Sequence, residues 1–271
     1  MIAASQRYLR GLARGHINYE LQICDPQSQK WLILIHDAAR DVEGMLSWFA
    51  SPAQGRDINL IAPVFDARTY EDYQRLGRNG LEARADRALL EILNDVRDLG
   101  FALPQRVPIF GFSAGAQFAH RFALSHGHQL SALICASAGW YTPLSQSQTY
   151  PYGLGASEHL SDLRFDSAAL LQMPTLTLVG EDDQQTDGQV CQHELIAEQG
   201  ETRLERARWW HAHLRGRAQL RGTHQRHVLE ILPNSDHRFA RCALRGQLPE
   251  LVIAFCNVIS HRQAESAAAF E

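Results

Sequence analysis

Along this chain, short and almost wholly apolar runs alternate with longer stretches in which apolar residues recur every three or four positions. The short runs predict strands at His16–Cys24, Trp31–His36, Asn59–Val64, Arg106–Phe110, Ala132–Ala136, Thr175–Val179 and His227–Leu232. In the first of these Ile17, Tyr19, Leu21 and Ile23 alternate with polar residues, as in an antiparallel edge strand. The later runs lack that alternation, as expected of strands covered on both faces. Helical spacing predicts helices over Val42–Ala50, Arg84–Leu99, Ala114–Ser125, Arg203–Leu214 and Pro249–Ile259, with a short tail at Ala264–Phe270. The expected architecture is therefore α/β: a mostly parallel, doubly wound sheet with helices on both faces. No linker or composition break divides residues 1–271, so one domain is expected. The stretch 139–163 breaks the alternation, being rich in Tyr, Gly, Ser and Pro. It follows a strand at the end where such sheets bind ligands, which makes it a candidate lid, with Trp140 and Tyr141 as substrate-binding residues.

One site of chemistry emerges where a predicted strand meets a predicted helix. Gly111-Phe112-Ser113-Ala114-Gly115 directly follows Arg106–Phe110 and opens the helix Ala114–Ser125. Glycines on either side of a serine allow a strand to turn sharply into a helix, leaving the hydroxyl on an exposed corner beside free helix N–H groups. A serine hydroxyl is a weak nucleophile unless a base lies within hydrogen-bond reach and a third group orients that base. Acidic residues cluster beyond the strand Thr175–Val179, in Gly180-Glu181-Asp182-Asp183, with Asp187 further on. Of the thirteen histidines, His237 alone sits in a turn-rich loop, Pro233–His237, between the last strand and the last helix. His211, His213, His224 and His227 are expected to face solvent. His120, His126 and His128 surround the far end of the helix after Ser113. The spacing of His211 and His213 does not put them on one helix face, so a metal pair is not expected.

The His36-Asp37 turn, Gly111–Gly115, Asp183 and His237 together resemble the α/β-hydrolases over essentially the whole chain. Ala138-Gly139-Trp140-Tyr141 and Tyr150-Pro151-Tyr152-Gly153 are similar to segments of poorly characterised bacterial members, loosely related to esterases and polyhydroxybutyrate-depolymerase-like proteins. The resemblance implies the chain order nucleophile, acid, histidine. It makes Ser113 the nucleophile and His237 the base. Asp183, three residues beyond Gly180, becomes the orienting acid in preference to Asp182, with Asp187 a weaker third. It also implies an oxyanion hole from the backbone N–H groups of Ala114 and Ala38. One departure stands out: Asp37 occupies the position where glycine is usual. A positive φ there would be costly for Asp, and a carboxylate beside an oxyanion would be unfavourable.

The implied activity is a serine hydrolase acting on a carboxylic ester or thioester of small-molecule size, through an acyl-enzyme. A peptidase or amidase with the same residues, and a non-catalytic ligand-binding protein on this fold, are the alternatives. A formal net charge of -4 argues against a nucleic-acid surface. Five cysteines without C-x-x-C spacing suggest neither a zinc site nor a disulfide framework, and Cys135 reads as a buried strand residue. No metal or cofactor is expected. No apolar window approaches about 20 residues, and no signal-peptide stretch follows Arg7, Arg10 and Arg14, so the expectation is a cytoplasmic protein without membrane contact.

Overall fold

The computed structural model describes residues 5–12, 15–77, 83–184 and 193–268. Eight strands form one sheet: β1 (Ser5–Leu12), β2 (Gly15–Gln22), β3 (Trp31–Ile35), β4 (Asn59–Val64), β5 (Val107–Phe112), β6 (Leu130–Ala136), β7 (Thr175–Gly180) and β8 (His227–Leu232). Their spatial order is β1-β2-β4-β3-β5-β6-β7-β8. The first two strands pair antiparallel, and β2 joins β4 antiparallel; every later pairing is parallel. This is the α/β-hydrolase fold.

The helices are α1 (Val42–Gln54), α2 (Ala85–Asp98), α3 (Ala114–His126), α4 (Ser167–Leu171), α5 (His193–Gln199), α6 (Arg203–Leu220), α7 (Phe239–Gly246) and α8 (Leu248–Ala268). Alternation along the strands sends side chains to two separate cores. Ile33, Ile35, Ile109, Leu133 and Cys135 face a layer containing α2 and α3. Leu32, Leu34, Phe110, Phe112, Ile134 and Leu178 face α1 and α8. Burial on both sides explains why the central strands read as unbroken apolar runs. Pro108, which cannot complete a central ladder, sits where the β5–β6 register shifts.

One expectation needs correction, and two regions hold more structure than expected. The alternating strand Gly15–Gln22 is not the sheet's edge, because β1 pairs along its whole length. Two helices follow β8, first α7, which was not expected, and then α8, which contains the expected Pro249–Ile259; they are broken at Gln247, which has a left-handed φ of 51°. The second continues to Ala268, through most of the expected tail. The tyrosine-rich stretch after β6, the candidate lid, is closely packed: Trp140, Tyr141, Leu144, Tyr150, Leu154 and Leu160 are buried, and Tyr150 stacks on Phe165 at 4.3 Å.

The chain leaves β3 to build β4 on one side and returns to build β5 on the other. The carboxyl ends of β3 and β5 therefore flank the point where the winding direction reverses, which is where an open α/β sheet leaves a crevice. The His36 turn leaves β3 at that point, and Ser113 follows β5.

Candidate active site

Ser113 occupies the single residue between β5 and α3 and has φ 54° and ψ -113°. A left-handed φ is costly for any residue with a side chain, so the surroundings must hold it. The Ser113 N–H donates to the Ala136 carbonyl of β6 at 2.8 Å, and its carbonyl accepts from Gln117 at 3.1 Å. The two flanking glycines are steric necessities. A Cβ on Gly111 would run into the backbone of Gly115, and one on Gly115 would run into the carbonyl oxygens of Ile35 and His36. The start of α3 is thus pressed against the end of β3. Its first turn has N–H groups with no intrahelical partner, Ala114 leading.

His237 approaches from the loop after β8. Its Nε2 lies 3.0 Å from Ser113 Oγ and its Nδ1 lies 3.0 Å from Asp183 Oδ2. An ionised carboxylate can only accept, so Nδ1 carries the proton and Nε2 is left to accept from the serine. The imidazole stacks on Phe112 with ring centroids 5.5 Å apart. The loop before it is pinned by Asp236, whose carboxylate takes hydrogen bonds from Arg238 and Arg241. Those bonds, Arg238 first, hold Asp236 well below the usual carboxylate range.

The strand β7 ends at Gly180 and the chain turns: Asp183 N–H donates to Gly180 O at 3.2 Å, and Asp182 N–H donates to Ser235 O at 2.8 Å. That second bond ties the two loops together. Asp183 is 1% exposed, while the Asp182 side chain points to solvent. Asp187 lies outside the described residues. Sequence reasoning gave no sign of Arg203, at the first position of α6, whose Nη1 lies 3.4 Å from Asp183 Oδ1. The T-R-L-E segment at 202–205 is a readable helix-start signal, but nothing in it points to a partner twenty residues earlier.

The turn after β3 is clamped from beneath. Buried His36 donates from Nδ1 to Asp37 O at 2.8 Å and accepts at Nε2 from Phe65 N–H at 3.1 Å. The Tyr73 hydroxyl donates to His36 O at 2.8 Å. Burial pushes the His36 pKa down to about 4, so its ring is neutral in this role. The positive φ of the turn falls on Arg40 (59°), not on Asp37. The Arg40 guanidinium is tied to the carbonyls of Phe65 and Tyr70 and lies over the Tyr73 ring. Asp37 Oδ1 accepts the Ala39 N–H at 2.9 Å, and Asp37 O accepts the Arg40 N–H at 3.1 Å. The Ala38 N–H is not used by the bonds that hold this turn, and Ala38 is exposed.

Trp140 and Tyr141 are placed differently from expectation. They are 1% and 0% exposed, so neither offers surface to a ligand. Tyr141 stacks on Trp210 at 4.7 Å, and Trp140 stacks on Tyr152 and lies against the Arg121 guanidinium. A cavity of about 170 Å³ lies instead beside Phe112, walled by Met45, Trp48, Phe112 and Phe239 and bordered by Asp37 and Asp41; Ser113 and His237 do not line it. Each of these belongs to a segment adjoining Ala38, Ser113 or His237. Two of the histidines expected at the surface are also inside. His227 is 9% exposed and pairs with Thr175, and half-buried His213 accepts the Leu144 N–H. Burial lowers the pKa of each to about 4.

No protein-family model matches the sequence, and no curated protein sequence does. Solved structures do match. A poly(aspartic acid) hydrolase-1 from Sphingomonas sp. KT-1 superposes with a TM-score of 0.76 at 23% identity, over 93% of this chain and 99% of its own. A poly(3-hydroxybutyrate) depolymerase from Bordetella parapertussis gives 0.74 at 19% identity, over 94% and 89%. A fluorophosphonate-binding serine hydrolase from Staphylococcus aureus gives 0.63 at 14% identity, over 95% and 99%.

Proposed function

We propose that this protein is a serine hydrolase that cleaves a carboxylic ester or thioester through an acyl-enzyme. The observation that carries the reading is the continuous line of hydrogen-bond contacts from Ser113 Oγ through His237 to Asp183, with a strained backbone at the serine. Ser113 attacks the substrate carbonyl while His237 Nε2 takes its proton. Asp183 fixes the imidazole tautomer and balances the imidazolium that forms. The developing alkoxide is held by the N–H of Ala114 and, from the turn, the N–H of Ala38. Collapse of the tetrahedral intermediate expels the alcohol or thiol, which receives the proton from His237. Water, activated by the same base, then releases the acid. No cofactor enters any of these steps.

The Asp37 departure does not count against this chemistry. Its φ is not positive, and its carboxylate is turned onto Ala39 N–H within its own turn. The cavity beside Phe112 suits one flanking group of the substrate. At about 170 Å³ it is similar to an apolar cavity of about 150 Å³ known to hold benzene. Its border of Asp37 and Asp41 favours neutral or cationic groups over anions. The hydrolase names of the three structural neighbours give general support.

Purified protein assayed on acyl esters and thioesters of graded chain length, with matched aryl amides, tests the reading. Ester or thioester turnover should exceed amide turnover and vanish in Ser113→Ala. Turnover of amides alone would move the assignment to an amidase with the same residues. No turnover of any acyl compound by folded protein would overturn it.

A further inference from the structure

We propose that Arg203 is a positioning residue for the acid of this site: it holds Asp183 by its second carboxylate oxygen and thereby sets the pH range over which His237 works as a base. The inference rests on the serine-hydrolase reading above. The two oxygens of Asp183 are divided between two partners, Oδ2 at 3.0 Å from His237 Nδ1 and Oδ1 at 3.4 Å from Arg203 Nη1. A carboxylate engaged at both oxygens cannot rotate away from the imidazole. It also faces a fixed positive charge on the side opposite the base.

The arginine itself is firmly placed. Thr202 and Glu205 form a reciprocal capping box: Thr202 Oγ1 accepts from Glu205 N–H at 3.2 Å and Glu205 Oε2 accepts from Thr202 N–H at 2.9 Å. This fixes the first turn of α6, where Arg203 sits and where Leu204 N–H donates to the Asp183 carbonyl at 3.3 Å. Arg206, one turn on, ties the same end of α6 to the carbonyls of Gly139, Gly200 and Glu201. The side chains of Arg203 and Asp183 are 8% and 0% exposed. Burial, the largest influence, lowers the Arg203 pKa, Asp183 raises it and Arg206 lowers it. A guanidinium stays charged even so. A buried cation is costly to keep, and this one lies against the acid of the proposed triad.

The surrounding groups do not duplicate this charge. The Cys242 thiol on α7 and the Tyr141 phenol both feel Asp183, and both are held protonated, chiefly by burial. Asp236 is engaged by Arg238 and Arg241, and the side chains of Glu181 and Asp182 face solvent. Beside His237 itself lie Ser113 and the uncharged ring of Phe112. The positive charge of Arg203 offsets part of the field that Asp183 exerts on the imidazole. Without it the imidazolium is favoured, and the base is lost at a higher pH.

The test is the pH dependence of kcat/KM and kcat on an activated ester for wild type and for Arg203→Met, Arg203→Gln and Arg203→Lys, each checked by thermal unfolding. The neutral variants should lose about tenfold in kcat with KM unchanged, because Arg203 is buried and meets Asp183 at the oxygen that does not face His237. The acid limb of kcat/KM should move to higher pH by on the order of half to one unit, as for one unit charge across a carboxylate. Lysine, a shorter point charge, should give an intermediate limb. A neutral variant with reduced kcat but an unmoved limb, or a limb moved to lower pH, overturns the inference. Should neither neutral variant fold, the lysine variant decides: a limb at the wild-type position overturns it. Labelling of Ser113 by a fluorophosphonate, and loss of that labelling in His237→Ala, is run in parallel. If labelling fails, the serine-hydrolase reading falls; if labelling holds and the limb does not move, only the role of Arg203 falls.

Discussion

Ser113 and His237 face each other at 3.0 Å, yet the scaffolds behind them have little in common. Behind the serine the structure is steric and local. Two glycines, a left-handed φ and the close approach of α3 to the end of β3 put the hydroxyl in place, with buried His36, Tyr73 and Arg40 bracing the neighbouring turn. Behind the histidine it is long-range and charged. Loops from two strands and the start of a helix meet through Asp183, Arg203, Asp236, Arg238 and Arg241. The difference teaches where each half is vulnerable. The Ser113 side should fail by volume, the His237 side by charge.

Substitutions can break this contrast, and the largest effect should come from the one that changes neither volume nor buried charge. Ser113→Ala should reduce kcat on an activated ester by on the order of 10⁴–10⁶ while thermal unfolding stays within about a degree or rises. The serine's strained φ is retained by the scaffold, not by its hydroxyl. On the charged side, Asp183→Asn is nearly isosteric and should still cost about 10⁴ in kcat, because the amide favours the wrong imidazole tautomer. Asp182→Asn, one residue away and exposed, should stay within a few-fold. A reversal of that pair would show that the turn after β7 had been misread.

Gly115→Ala sharpens the other half. Alanine normally improves a helix by about 1 kcal/mol over glycine. Here the added Cβ meets the carbonyl oxygens of Ile35 and His36, so denaturant unfolding should show a loss of about 3 kcal/mol or more. A stabilised Gly115→Ala would mean that the elbow is not close-packed.

Acid acts on both halves through stability, by way of their buried histidines. His36 is neutral in the folded protein down to about pH 4 through burial, as are His213 and His227, while an unfolded histidine takes up its proton near pH 6.5. The unfolded chain therefore binds more protons between those values. Stability is full above about pH 6.5 and falls as pH drops toward 4. Melting temperatures should decline over this window, and Asp236→Asn, at the surface, should leave the decline in place. A flat profile from pH 7 to 4.5 would contradict the buried, neutral state of these rings.

The legibility of the sequence follows the same division. The elbow could be read because its requirements are local: five residues, a preceding apolar run and a following helical pattern. The strands β3 to β7 could be read because burial on both faces leaves a largely apolar run, and the edge strand β8 because Val228, Leu229, Ile231 and Leu232 keep it mostly apolar despite exposed Glu230. By contrast, β1 carries Arg7 and Arg10 among its apolar residues and becomes a strand only by pairing with β2. His213 and His227 looked exposed because their neighbours in sequence are charged, yet Leu144 and Thr175 meet them from other parts of the chain. Trp140 and Tyr141 looked like pocket walls from their position after β6. Their partners, Arg121 and Trp210, turn them inward, and no short-range pattern encodes that. Arg203 was invisible for the same reason, since its partner is set by how α6 docks.

The central claim is that Ser113 is a nucleophile activated by His237. Treatment with a fluorophosphonate probe, followed by intact-mass measurement and peptide mapping, tests it most directly. The account predicts one covalent adduct per chain, on Ser113, absent in Ser113→Ala and slowed by several orders of magnitude in His237→Ala. An adduct on another residue, or none on folded wild-type protein, would contradict it.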